Sequence, residues 1–144
     1  MNIAFFMKPK AETAYLYDDY TIRQALEKMS RHGYSAIPVI NREGQYVGTI
    51  SEGDLLWFIV KGENGEPHTL AIESLEKFRL SELDIPASMK RYPAVKIDAS
   101  IDELLLNALN QNFIPIVDDR DSYIGIVTRQ NVIKYFYDNS LNLK

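Results

Sequence analysis

The chain has 144 residues, 46% hydrophobic and 25% charged, with sixteen basic and twenty acidic residues and a net charge of −4. This is the size and composition of one compact domain or two small fused units, and it argues against disorder and against a basic face that wraps duplex nucleic acid. There is no cysteine and there are two histidines, His32 and His68, which excludes disulfides, zinc fingers, iron–sulfur clusters, thiol nucleophiles and a His-rich metal site.

Met1 to Met7 is briefly apolar before Lys8-Pro9-Lys10, without the basic start and small-residue cleavage site of a signal peptide. A first strand is predicted over Ala14–Tyr17. Thr21 then opens a helix with a capping box, its hydroxyl capping and Gln24 reaching back. Ile22, Ala25, Leu26 and Met29 follow helical spacing. Strands Ala36–Ile40 and Tyr46–Ile50 flank the polar turn Asn41–Gln45. A helix starts near Ser51, and its apolar run Leu55–Val60, the longest in the chain, is far too short to span a bilayer. Gly62–Pro67 reads as a loop, and Leu70–Leu83 is expected to hold a further helix or two. A strand follows at Ala94–Ile97, then a helix capped by Ser100 with Glu103 as its box partner. That helix carries Ile101, Leu104, Leu105, Ala108 and Leu109 on one face. Strands Phe113–Val117 and Tyr123–Val127 enclose the turn Asp118–Ser122, and a last helix starts near Thr128.

The second half repeats the first. Pro38, Tyr46, Gly48 and Ser51 recur as Pro115, Tyr123, Gly125 and Thr128, each 77 positions on. The helix caps Thr21 and Ser100 lie 79 apart, so the second copy is two residues shorter between helix and strand. Further back, Ala14-Tyr15-Leu16-Tyr17-Asp18 matches Ala94-Val95-Lys96-Ile97-Asp98. The expected fold class is α/β (α+β): tandem repeats of strand-helix-strand-strand-helix packed about a pseudo-twofold axis. The expected boundaries are 1–62 for the first repeat, 63–79 for a linker with helix and 80–144 for the second. One copy is too small for a good core, and two can share one. Leu55–Val60 and Val132–Tyr137 are apolar almost all round, which predicts helices buried on more than one side.

A strand of apolar-Pro-apolar residues, followed by Gly-x-apolar-Ser/Thr-x-x-Asp at a helix start, resembles the CBS domain. Here it reads Ala36-Ile37-Pro38-Val39-Ile40 with Gly48-Thr49-Ile50-Ser51-Glu52-Gly53-Asp54. The second copy reads Phe113-Ile114-Pro115-Ile116-Val117 with Gly125-Ile126-Val127-Thr128-Arg129-Gln130-Asn131. Nearly the whole chain resembles a stand-alone CBS pair, or Bateman module, with no enzyme or transporter domain to regulate in cis. The resemblance implies adenine nucleotides bound in clefts between the copies. Each cleft would take adenine-facing residues from one copy and the helix start from the other. The first would combine Thr13, Ala14, Tyr34, Ser35, Ala36, Ile37 and Pro38 with Thr128, Arg129 and Asn131, with Lys8 and Lys10 at its rim. The second, weaker, would combine Val95, Asn112, Phe113, Ile114 and Pro115 with Ser51 and Asp54.

Electrostatics favours the first cleft for a phosphate. A helix N-terminus and the planar fork of Arg129 both suit an anion, whereas the second cleft presents Glu52 and Asp54. Taken singly, Ser51 and Thr128 are ordinary helix caps and Arg129 a solvated residue; their joint recurrence in family order carries the functional reading. Asn131 departs from the family's Asp, which holds the two ribose hydroxyls. Cyclic di-AMP, with ribose hydroxyls partly esterified, needs that Asp less, and the chain resembles the small stand-alone CBS proteins that sense it in Gram-positive bacteria. The expectation is a cytoplasmic homodimeric sensor, joined through its final helices, that regulates an unidentified partner protein. It would have no catalytic activity, cofactor, metal, nucleic-acid partner or membrane association. The alternatives are an AMP, ADP or ATP energy sensor and a ligand-free dimerisation scaffold.

Overall fold

Thr21 closes the capping box expected of it. Its hydroxyl accepts from the Gln24 amide at 3.2 Å, and Gln24 Oε1 accepts from the Thr21 amide at 2.8 Å. In this computed structural model, which describes residues 2–61, 75–82 and 92–141, the box starts α1 (Ile22–His32). Ile22, Ala25 and Met29 are buried along one face of α1, and Gly33 ends it in the left-handed region at φ 68°. That conformation is one a glycine adopts without strain.

The chain divides into two units, 14–91 on the one hand and 1–13 with 92–144 on the other. In the first unit β2 (Leu16–Tyr17) runs parallel to β3 (Ala36–Ile40), and β3 pairs antiparallel with β4 (Tyr46–Ser51) before α2 (Glu52–Lys61). In the second unit β5 (Val95–Lys96) runs parallel to β6 (Phe113–Val117), and β6 pairs antiparallel with β7 (Tyr123–Thr128). There α3 (Ile101–Ala108) and α4 (Arg129–Leu141) take the places of α1 and α2. Both hairpins shift register at the same point, Val39/Ile40 and Ile116/Val117. The mixed α/β repeat is as expected, and each unit has its own core. Leu16, Ile37, Val39, Ile50 and Leu55 are buried in one, and Val95, Leu104, Ile114, Ile116 and Val127 in the other.

The first strands differ from expectation in length and alignment. Leu16 stands opposite Val39 and Val95 opposite Ile116, so equivalent residues are 79 apart, and Ala14 is not the counterpart of Ala94. Burial decides this. Leu16 and Val95 are both core residues, and a one-residue slip would turn that side chain to the opposite face. The further helix expected over Leu70–Leu83 falls largely outside the described residues, as does His68. The described part contains a 3-10 turn, Leu80–Glu82, whose Leu80 is fully buried.

The N-terminal segment is an outer strand of the second unit. β1 (Lys8–Pro9) pairs antiparallel with β7, Lys8 opposite Ile126 and Pro9 opposite Gly125, giving the sheet order β1-β7-β6-β5. Proline is tolerated on such an edge strand. Ile3 and Phe6 enter the core ahead of it. The repeated glycine at 125 thereby gains a reason, since a Cβ there would lie 2.3 Å from the Lys8 carbonyl oxygen and 2.9 Å from Met7 Cγ. Gly125→Ala should displace β1 and destabilise the protein by about 1–3 kcal/mol, the usual range for overpacking. Urea unfolding measures the loss, and proteolysis near Lys8 should accelerate with it.

Candidate functional site

The backbone brings each strand end beside the helix start of its own repeat. Ala36 pairs with Ser51, and the Glu52 amide donates to Ser35 O at 2.8 Å. In the second unit Phe113 pairs with Thr128, and the Arg129 amide donates to Asn112 O at 2.8 Å. Ser35, Ala36, Ser51 and Asp54 thus gather in one unit, which also holds Ala14, Tyr34, Ile37 and Pro38. Asn112, Phe113, Thr128, Arg129 and Asn131 gather in the other, which also holds Lys10, Thr13, Val95, Ile114 and Pro115.

Both helices carry the expected caps. Ser51 Oγ accepts from the Asp54 amide at 3.1 Å while Asp54 Oδ2 accepts from the Ser51 amide at 2.9 Å, a reciprocal box. Thr128 Oγ1 accepts from the Asn131 amide at 3.1 Å. Asp54, expected as a ribose acceptor, therefore also holds the start of α2.

Burial sorts the remaining candidates. Ser35, Asn112 and Asn131 are exposed, and Lys10, Thr13, Tyr34, Ala36, Phe113, Thr128 and Arg129 are partly so. Ala14, Ile37, Val95 and Ile114 pack in the cores and Pro38 and Pro115 are buried, so main-chain atoms are what they chiefly offer a ligand. Thr13 Oγ1 donates to Lys10 O at 2.8 Å and lies 2.8 Å from the Tyr123 hydroxyl. With its own proton spent on Lys10, Thr13 accepts from Tyr123. The Phe113 ring stacks on Tyr92 at 6.0 Å between centroids, and Tyr34 stacks on His32 at 5.6 Å. Tyr92 carries no signal of this in the sequence, because nothing in its local spacing points to a stacking partner 21 residues away.

Arg129, expected to meet a ligand phosphate, has partners within its own unit. Its side chain is not simply solvated: Nε donates to Ala108 O at 2.8 Å and Nη2 to Leu109 O at 3.4 Å, at the end of α3. The corresponding residue of the first repeat is Glu52, so the two helix starts are opposite in charge.

Elsewhere in the first unit, Arg42 forks onto Asp19 at 2.7 and 3.0 Å with its guanidinium 3.8 Å from the Tyr17 ring centroid. That hydrogen-bonded pairing holds the Asp19 carboxyl below its ordinary range. A hollow of about 360 Å³ beside it is lined by Asp19, Tyr20, Thr21, Gln24, Arg42 and Arg79. Of its two arginines, Arg42 is already forked onto a carboxylate, and the helix start is closed by the Thr21 box. Among the described residues no three His, Asp or Glu side chains gather as a metal site, and no helix is long and apolar enough to cross a membrane.

Asp54→Ala should lower stability by about 1 kcal/mol, the usual cost of losing a helix cap, in protein free of added ligand. Asp54→Asn, which retains an acceptor oxygen, should recover part of it. Thermal unfolding of the three proteins checks this.

Residues 6–61 and 81–138 each match the CBS domain family. An uncharacterized protein of Methanocaldococcus jannaschii is 30% identical over 129 residues, covering 85% of this chain; the chain spans only 45% of that relative's length. Among solved structures, CbpB in complex with c-di-AMP superposes with a TM-score of 0.83 at 20% identity, covering 99% of this chain and 89% of that one. CBSX2 in complex with AMP superposes at 0.70 and 21% identity, covering 96% and 98%. At those identities the likeness is one of fold. Because the two family matches take up most of the sequence and each repeat joins its Pro-containing strand to a hydroxyl-capped helix, this chain belongs to the CBS-domain family, with two copies in tandem.

Proposed function

We propose that this CBS pair is a cytoplasmic sensor that binds an adenine nucleotide, cyclic di-AMP ahead of others, and thereby regulates a partner protein. The observation that carries the reading is the chemical difference between the helix starts. Thr128 and Arg129 place a hydroxyl, a helix N-terminus and a cation together, with Asn131 where the family has its ribose-binding Asp. Phosphate suits that set, and a ligand with esterified ribose hydroxyls tolerates the Asn. The adenine would be read at Tyr34, Ser35, Ala36, Ile37 and Pro38, with Thr13, Ala14 and Lys10 contributing. That solved CBS pairs of this fold are described in complex with c-di-AMP and with AMP supports an adenine ligand. A second reading, an AMP, ADP or ATP sensor, draws support from Asp54 at the other helix start, with Val95, Asn112, Phe113, Ile114 and Pro115 as base contacts.

Calorimetric titration with cyclic di-AMP, cyclic di-GMP, AMP and ATP separates these readings. Cyclic di-AMP should bind tightest, with affinity falling as salt is added. Tighter AMP binding would favour the energy sensor, and no binding would leave a dimerisation scaffold.

A homodimer through the final helices is part of the proposal. α2 exposes Leu56, Trp57 and Val60, and α4 exposes Ile133, Phe136 and Tyr137. Leu56 with Ile133 and Val60 with Tyr137 are repeat equivalents 77 apart. Matching apolar faces on both repeats fit burial against a second copy. Light scattering after size exclusion should give a dimer at micromolar concentration, and Leu56→Glu with Ile133→Glu a folded monomer. A parent monomer would refute this part.

A further inference from the structure

The two repeats end their first helices by different devices. α1 ends on Gly33, whose amide donates to Ser30 O at 3.2 Å while Tyr34 donates to Met29 O at 3.1 Å. α3 has no glycine there. Leu109 stays right-handed at φ −66°, ψ −29°, and the chain tightens through Leu109 N to Leu106 O at 3.3 Å, Asn110 N to Asn107 O at 3.1 Å and Gln111 N to Asn107 O at 3.0 Å. A helix leaves its last carbonyls without intrahelical donors. Here Arg129 supplies donors to two of them, Ala108 O and Leu109 O. The first repeat, which has its glycine, carries Glu52 at that place, and a carboxylate cannot donate to a carbonyl. Arginine and missing glycine therefore occur in the same repeat.

Arg129 turns one edge of its guanidinium to α3. Nε–H and one Nη2–H lie along that edge, while Nη1 and the second Nη2 hydrogen form another edge that can fork onto a phosphate. Nη1 makes no hydrogen bond among the described residues, and the residue is only partly buried. Held by its inner edge, the guanidinium has already lost much of the rotamer freedom that binding would otherwise remove.

We infer that Arg129 is a joint: its inner edge caps α3, its outer edge receives the nucleotide phosphate, and occupancy is transmitted to the last turn of α3. The inference rests on the nucleotide reading above. That turn carries Leu106 and Leu109, 64% and 75% exposed, where the first repeat has the polar Glu27 and Ser30. A change in its order therefore alters an apolar surface peculiar to the second repeat.

Arg129→Gln separates the two edges. Glutamine Nε2 stands as many bonds from Cα as arginine Nε, so it can cap Ala108 O, but it lacks the outer edge and the charge. Hydrogen exchange of the 109–111 amides, with cyclic di-AMP as probe, gives the readout. Without nucleotide, Arg129→Gln should exchange like the parent and Arg129→Ala about five- to tenfold faster. With saturating nucleotide these amides should slow in the parent. Arg129→Gln should bind about ten- to a hundred-fold more weakly and, once saturated, show no slowing. Parent binding that leaves 109–111 unchanged would overturn the joint while sparing the nucleotide reading, and so would Arg129→Gln binding as tightly as the parent. If calorimetry finds no nucleotide bound, both fall together, and the nucleotide-free comparison then reports Arg129 as a helix cap alone.

Discussion

The rest of this structure depends on how a β-strand becomes a helix beside the end of its neighbour. At each such junction one amide leaves the ladder and donates across it, Glu52 to Ser35 O and Arg129 to Asn112 O. Those bonds set the helix axis relative to the sheet. They also bring the capping hydroxyls, Ser51 and Thr128, level with the first residues of β3 and β6. Because the pairing is made by main-chain atoms, side chains at the junction are free to diverge. They have diverged in charge, Glu52 against Arg129, and in polar type, Asp54 against Asn131.

Divergence at one end of a repeat is tied to divergence at the other. The second repeat is two residues shorter between helix start and strand, and α3 ends at Ala108 without the left-handed glycine that closes α1. Its last carbonyls, without intrahelical donors, accept from Arg129 at the start of α4, where a glutamate could not donate to them. One substitution thus answers a local hydrogen-bonding demand and makes that helix start cationic. An anion-binding role and a structural role need not compete, since a guanidinium has more than one donor edge.

The N-terminal segment shows a second dependence. Ile3 and Phe6 complete the core of the second unit, and β1 covers β7. The approach is close enough that position 125 has no room for a side chain. Tyr123 anchors the same segment through the Thr13 hydroxyl, which places two of the recurring residues, Tyr123 and Gly125, in its docking.

Much of this was legible in the sequence. The constant spacing of Pro38, Tyr46, Gly48 and Ser51 with their second copies set the repeat. The Thr21 and Ser100 caps, the helical spacing behind them and the Asn41–Gln45 and Asp118–Ser122 turns set the elements, because caps, periodicity and turn chemistry are local in the chain. The family pattern picked out Ser51, Asp54, Thr128 and Arg129 as helix-start residues, and they are. What tertiary structure alone decided is non-local. Burial of Leu16 and Val95 chose the strand alignment over a better-looking match of alanines. Partners far away in sequence decided that Phe113 stacks on Tyr92, that Lys8 packs over Gly125 and that Arg129 reaches back to Ala108. Composition and spacing report what a residue can do; the carbonyls and rings brought beside it by folding determine which of those things it does.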